Sequence, residues 1–301
     1  MLNWDTFSKV TEAEWKSKVE SDLKGKKSVA DFVYDVEGDY YVDPFVISVA
    51  KQNPISAIAL PKSCIHIQSL DASKSNAQAK KFLNYGVSAL IFTITDATDF
   101  SVLFNEIYIE MIDVFLLIEG NKNIVKTSWE KYKLDNPTAR SIVLLDNEAI
   151  KLNVEHSFNN RLKLFKSFSS THNKDEKTVI IMEMKNDFLA QIAELKAIRS
   201  IWQNNDLQPE DLIIISTLPE FISDQNEVHP LIIANYLMMS AYLGMANFVC
   251  GFNDKNAELA RLCMNIHHIF KEENLLTKVS DPTNGSYIID ALTAQMVDTI
   301  L

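Results

Sequence analysis

The chain has little of what anion-binding and phosphate-binding proteins use most. It carries four arginines, Arg140, Arg161, Arg199 and Arg261, and none in its first 139 residues. Its glycines number 7, and the nearest two, Gly244 and Gly251, are seven positions apart. That spacing excludes a Rossmann fingerprint and a P-loop, both of which need glycines within a few residues so that the backbone can wrap a phosphate. The three cysteines, Cys64, Cys250 and Cys263, form no CxxC pair and leave an odd count, which points to buried reduced thiols. No apolar run approaches the ~18 residues of a membrane span. The first residues, MLNWDTFSKV, are too polar for a signal peptide. A net charge of −11 leaves no basic footprint for nucleic acid or an anionic membrane. These absences predict a cytoplasmic protein, and Asn284-Gly285-Ser286 then reads as a turn rather than a glycosylation site.

What is present is material for a core: 47% of the 301 residues are hydrophobic. Short apolar, β-rich runs occur at 65–70, 89–93, 114–118, 142–145, 179–182, 212–215 and 247–250. Helical segments are predicted between most of them, at 76–85, 100–110, 187–202 and 230–243. Continuous apolar strands alternating with helices predict a parallel sheet covered by helices. The number of strands points to an α/β fold of the (β/α)8 TIM type. The eighth strand is not evident. Lys151–Glu155 is a candidate, but it follows Leu145 too closely for an ordinary crossover helix, so the barrel is expected to be irregular around its fourth and fifth strands. The strands are bulky on both faces, as in Val-Phe-Leu-Leu-Ile at 114–118, which predicts a filled interior.

Residues 1–45 differ from the rest. Thr11 and Glu14 have capping-box spacing, Trp15, Val19 and Leu23 follow at helical intervals, and Gly25 is a natural stop. An extended stretch, Glu37–Phe45, comes next. The expected organisation is an N-terminal arm (1–45) and a barrel (46–301).

Near the C-terminus runs Glu272-Glu273-Asn274-Leu275-Leu276-Thr277-Lys278-Val279-Ser280-Asp281-Pro282-Thr283-Asn284-Gly285-Ser286-Tyr287. It resembles the "EES…KVADPAGGSY" stretch that ends the acyl-CoA-binding barrel of the methylmalonyl-CoA mutase family. Phe188–Trp202 resembles that family's "FF.EIAKLRA.R.LW", and Ala260–His267 resembles "RIARNTQ". Asn76–Leu90 is similar to the helix after the first barrel strand. Glu14-Trp15, Val19–Lys26 and Glu37–Phe45 have the layout of the family's N-terminal arm, which packs against a partner subunit.

The resemblance implies a reaction and also shows what this chain does not repeat. The family rearranges acyl-CoA skeletons with adenosylcobalamin, held by a flavodoxin-like domain carrying Asp-x-His-x-x-Gly. No histidine here has an aspartate two positions before it, so the chain is expected to bind no cofactor itself, with adenosylcobalamin in the partner subunit. The family's "RGPYPTMY" segment has no Arg or Tyr counterpart within 46–62. "DPY.N..R" becomes His229–Tyr236 with only Pro230 kept, and "ARNTQ" keeps only Asn265, with Met264 and His267 replacing Arg and Gln. Such losses suit a retired active site.

Few polar candidates remain. His156, preceded by Glu155, stands where the catalytic chain has a Tyr-His pair, and an ordinary surface or capping histidine explains it as well. Asn265 and His267 are the candidates for cofactor contact. His267 and His268 point about 100° apart on a helix and cannot share a metal, so no metal site is expected. Asp146, Asn147 and Glu148 suit a helix cap or turn, and Asp281 and Asn284 a turn. The favoured reading is the non-catalytic small subunit of a heterodimeric mutase, partnered by a large catalytic subunit, with at most weak acyl-CoA binding. One alternative is a catalytic acyl-CoA barrel that borrows a cobalamin-binding polypeptide. The other is an unrelated barrel lyase, for which Lys185 is the one lysine near a strand end.

Overall fold

A computed structural model describes residues 10–46, 55, 60–137, 139, 142–145, 150–171, 177–219 and 229–300. Helix α1 (Glu12–Leu23) is followed by a two-stranded antiparallel hairpin, β1 (Tyr34–Val36) and β2 (Tyr40–Val42). The barrel elements are β3 (Lys62–Ile67), α2 (Ala72–Asn84), β4 (Ala89–Ile94), α3 (Phe100–Leu103), β5 (Asp113–Ile118), α4 (Lys122–Asp135), β6 (Val143–Leu145), β7 (Ile150–Leu152), α5 (Phe158–Thr171), β8 (Thr178–Glu183), α6 (Phe188–Asn204), β9 (Leu212–Thr217), α7 (Pro230–Leu243), β10 (Phe248–Cys250) and α8 (Ala257–His268). A π-helical turn (Ile269–Glu273) and α9 (Tyr287–Ile300) complete the chain.

Eight parallel strands form one sheet in the order β6-β5-β4-β3-β10-β9-β8-β7. The first and last of these in sequence, β3 and β10, are paired, with Cys250 opposite Cys64. The two ends of the order are β6 and β7, whose facing termini Leu145 and Ile150 are five residues apart in sequence. Five Cα steps of about 3.8 Å keep those termini within about 19 Å. A flat eight-stranded sheet would separate its edge strands by about 34 Å, so this sheet curls into a barrel-like cylinder. The predicted (β/α)8 arrangement is therefore present, and its irregularity lies between the fourth and fifth strands as expected. Too few residues separate β6 from β7 for a crossover helix. The missing eighth strand is β7, which overlaps the 151–155 candidate only at residues 151 and 152.

One predicted helix is corrected. The span 100–110 is a single turn, α3, and a separate 3₁₀ turn, Ile109–Met111. Between them Glu106 takes a left-handed backbone (φ 57°), which no helix continues through.

The barrel wall separates two apolar clusters. Inside are Cys64, Ala89, Ile91, Phe115, Leu117, Leu145, Val179, Ile215, Phe248 and Cys250, which alternate along their strands with outward residues. Phe115 and Phe248 meet edge to face at 5.0 Å, a contact worth ~1 kcal/mol beyond burial. Below them Lys62 and Asp113 pair at 2.6 Å across the N-terminal end of the barrel. The expected filled interior is thus observed. Outside, the strands and helices share the larger cluster, which also takes in Val36, Tyr40 and Val42 of the hairpin.

The N-terminal arm has two parts. The hairpin is fixed to the barrel: the Gln295 amide brackets the Tyr41 backbone (2.6 and 3.1 Å), Glu37 accepts from Phe158 N (2.8 Å) and pairs with Lys185, and Tyr34 donates to Asp187. Helix α1 has no buried residue. It opens with the predicted Thr11–Glu14 capping box and ends at Lys24 and Gly25, both left-handed. Trp15 stacks on Phe45 at 4.4 Å. No helix among the described residues is long and apolar enough to cross a membrane.

Candidate functional site

The carboxyl ends of barrel strands are where such folds place ligands. Here they surround a cavity of about 180 Å³. Its floor is apolar: Ile91, Leu117, Ile181 and Cys250. Its rim carries His66, Gln68, Lys151, Asn153, Glu183 and Asn253. His66, Gln68, Asn153 and Glu183 sit at or just beyond strand ends and continue the inward-facing alternation, whereas Asn253 lies three residues past β10. Lys151 is in register with Ile181, an inward residue, so it too faces the lumen.

Most of the rim is tied up locally. His66 Nε2 and Thr93 Oγ1 are 2.9 Å apart. The Glu183 carboxylate accepts from Val154 N at 2.9 Å, and Asn253 Oδ1 accepts from Lys255 N at 3.1 Å. Gln68 N donates to the buried Asp254 at 2.9 Å. Gly251 lies where a Cβ would come within 2.5 Å of Cys263 Cβ, so the strand end can approach α8 only as glycine.

The candidates read from the sequence lie elsewhere. His156 is exposed in the turn after β7; its carbonyl accepts from Lys185 Nζ at 2.9 Å, and it does not line the cavity. Asn265 is exposed on α8, and His267 is buried in the helical layer, 2.9 Å from Tyr242 Oη through Nδ1. Burial, with the neighbouring His268 adding to it, lowers His267 to about 3, so it is a neutral imidazole at ordinary pH. The structure does not bring these three together. Asp146, Asn147, Glu148 and Arg140 fall outside the described residues. Lys185 is committed to Glu37 and to the Phe158 ring at 4.7 Å, so the lysine considered for lyase chemistry secures the hairpin. Sequence reasoning missed Lys151, Asn153, Gln68 and Asn253 as rim residues. The signal available was position, the polar residues next to the last inward apolar residue of each strand, and it needs the pleat register to be read.

Two of the described arginines, Arg199 and Arg161, are structural. Arg199 on α6 donates to Met245 O (Nε, 3.0 Å) and Asn247 Oδ1 (2.9 Å), holding the turn between α7 and β10. Arg161 on α5 meets Glu194 on α6 at 2.9 Å with both side chains fully buried, and donates to Glu183 O at 3.0 Å. The described residues at the mouth do not fit adenosylcobalamin. Among the described residues His66 is the one histidine lining the cavity, it is held by Thr93, and the space is far smaller than a corrin ring.

The segment after β10 is organised around Lys196, which is almost fully buried on α6. Its ammonium lies 3.2 Å from Asp281 and 3.6 Å from Asp290, with Thr283 Oγ1 at 3.3 Å. Asp281 also accepts from Thr283 N (3.3 Å), and Gly285 turns the chain with φ +87° into α9. Residues 251–301 match the family model of methylmalonyl-CoA mutase. The motif Asp281–Tyr287 lies inside the match and is a structural clamp between α6 and α9. Among curated proteins no match was found. Solved structures similar in chain course include a dihydropteroate synthase from Coxiella burnetii in complex with pteroic acid (10% identity, TM-score 0.35, covering 71% of this chain and 96% of that one). Another is the dihydropteroate synthase of Yersinia pestis (9% identity, TM-score 0.32, covering 78% and 98%). At such scores these likenesses carry no argument, and the fold assignment rests on the strand order itself.

Proposed function

We propose that this chain is the non-catalytic small subunit of a heterodimeric methylmalonyl-CoA mutase, which supports a large subunit that holds the substrate and adenosylcobalamin. The observation that carries the reading is the barrel interior. Phe115, Phe248 and the aliphatic residues around them fill the lumen where a catalytic mutase would thread the pantetheine arm. The space left at the mouth, about 180 Å³, is below the ~300–1,000 Å³ of ordinary small-molecule sites. A CoA ester needs more room, and its phosphates and carboxylate call for arginine forks. Among the described residues the lining contains no arginine. The mutase match over residues 251–301 supplies the family context.

The test is co-purification with the candidate large subunit, followed by turnover of the separate and mixed chains with adenosylcobalamin. The expected result is a 1:1 complex whose turnover is unchanged by His156→Ala or Glu183→Gln in this chain. Turnover that collapses with either variant, while the complex still forms, would favour a catalytic acyl-CoA barrel instead.

A further inference from the structure

We infer that Cys64 and Cys250 are an oxidisable dithiol that can staple the first barrel strand to the last. The inference is independent of the proposed function. The two residues are register partners across the β3–β10 pair, and both point into the lumen. Paired parallel strands lie about 4.8 Å apart, within the ~4.4–6.8 Å Cα separation of disulfides. On the concave side of a curled sheet, inward side chains converge, so the Cβ atoms approach more closely than the Cα atoms. Both thiols are free, as is the third, Cys263, which sits outside the barrel on α8.

Access and order of reaction differ between the two. Cys250 lines the mouth cavity, which is large enough for a peroxide molecule, whereas Cys64 does not line it. Burial, with a hydrogen bond to Cys250, pushes the Cys64 thiol well above its ordinary range and keeps it protonated. Hydrogen peroxide is therefore the oxidant and Cys250 the first site. Its sulfur attacks one peroxide oxygen, the O–O bond breaks, and a sulfenic acid and one water result. The Cys64 sulfur then displaces the hydroxyl from the Cys250 sulfur; the Cys64 proton leaves with it as a second water, and the S–S bond forms. Two thiols lose two electrons, and the peroxide gains them.

The experiment uses the full chain, treated with hydrogen peroxide under native conditions, quenched, alkylated in denaturant and mapped by mass spectrometry. The expected product is a peptide pair joined through Cys64 and Cys250 and lighter by two hydrogens, with Cys263 alkylated and the link reversed by dithiothreitol. Cys250→Ala should abolish the link, and Cys263→Ala should leave it intact. Three results would overturn the inference: sulfinic acid at Cys250 without a link, a link to Cys263, or oxidation only after unfolding. The wild-type mapping decides the matter even if a cysteine variant folds poorly.

Discussion

Two groups of polar residues sit on opposite sides of the barrel wall, and they are used differently. Around α6, outside the wall, Arg161, Glu194, Lys196 and Arg199 are all buried, and each joins α6 to another part of the chain. At the mouth, His66, Lys151, Asn153 and Glu183 border open space, and no charged side chain there pairs with another across it among the described residues. Twelve of the 17 residues of α6 are buried, so a charged residue on it must be matched or left stranded. The lesson is that chain-wide scarcity of arginine does not mean scarcity where arginine is structural. Among the described residues, charge is paired where it joins elements and borders open space at the mouth.

The comparison breaks most sharply at Arg161. Replacement by Met leaves the Glu194 carboxylate buried without its cation and the Glu183 carbonyl without its donor. The expected loss is about 3–5 kcal/mol, read as a lower midpoint in urea unfolding. A loss under about 1 kcal/mol would mean that the α6 group is not holding the fold.

Acidity probes the same pair. The contact is close at 2.9 Å, yet Arg161 Nε and Glu194 Oε1 are not aligned as a hydrogen bond. Desolvation therefore outweighs the attraction of Arg161, and Glu194 is raised from 4.5 to about 7. Between those values the folded chain holds a proton that the unfolded chain has released. Stability accordingly falls as pH rises through that window, by about 3 kcal/mol at most. His267 acts in the opposite direction: lowered to about 3, it stays neutral when folded, and its contribution is lost as pH falls from 6.5 toward 3. Above pH 6.5 only the Glu194 effect of these two remains. Unfolding at pH 6.5 and pH 8 should show the decline in wild type and not in Glu194→Gln; an equal slope in both would refute the assignment.

The same contrast explains what could be read from the sequence. The barrel was legible because β-rich apolar runs such as 89–93 and 114–118 recur between helical segments, and because Pro230 opens α7 where expected. The shape of 281–287 as a turn was also legible, since Asp, Pro, Asn and Gly specify it locally. That Asp281 reaches Lys196, eighty-five positions earlier, was not. Nor was the split of the arm into a buried hairpin and an unburied α1, because Val36, Tyr40 and Val42 owe their burial to α9 and the barrel helices and not to any local pattern. The rim was hidden for the same reason: the inward register of Lys151 follows only from its pairing with Ile181.

A smaller effect is expected at Lys196. Changing it to Met removes the cation shared by Asp281 and Asp290, both of which keep some solvent access. Water can take over part of what the ammonium supplied, so the cost should be about 1–3 kcal/mol, below that of Arg161→Met. The loss should appear first as faster amide exchange in α9, whose start the clamp secures.

The least effect on stability is expected at the mouth, and that is what makes Lys151 informative. Its side chain is exposed and forms no ion pair among the described residues, so Lys151→Met should change unfolding free energy by no more than about 0.5 kcal/mol. If charge at the mouth serves no substrate, turnover of the mixed subunits should also stay within error of wild type, at saturating and at limiting acyl-CoA alike. A rise in KM with unchanged stability would place a substrate anion against Lys151. The mouth would then be a working site, and the contrast with the α6 group would become one between structural and catalytic charge.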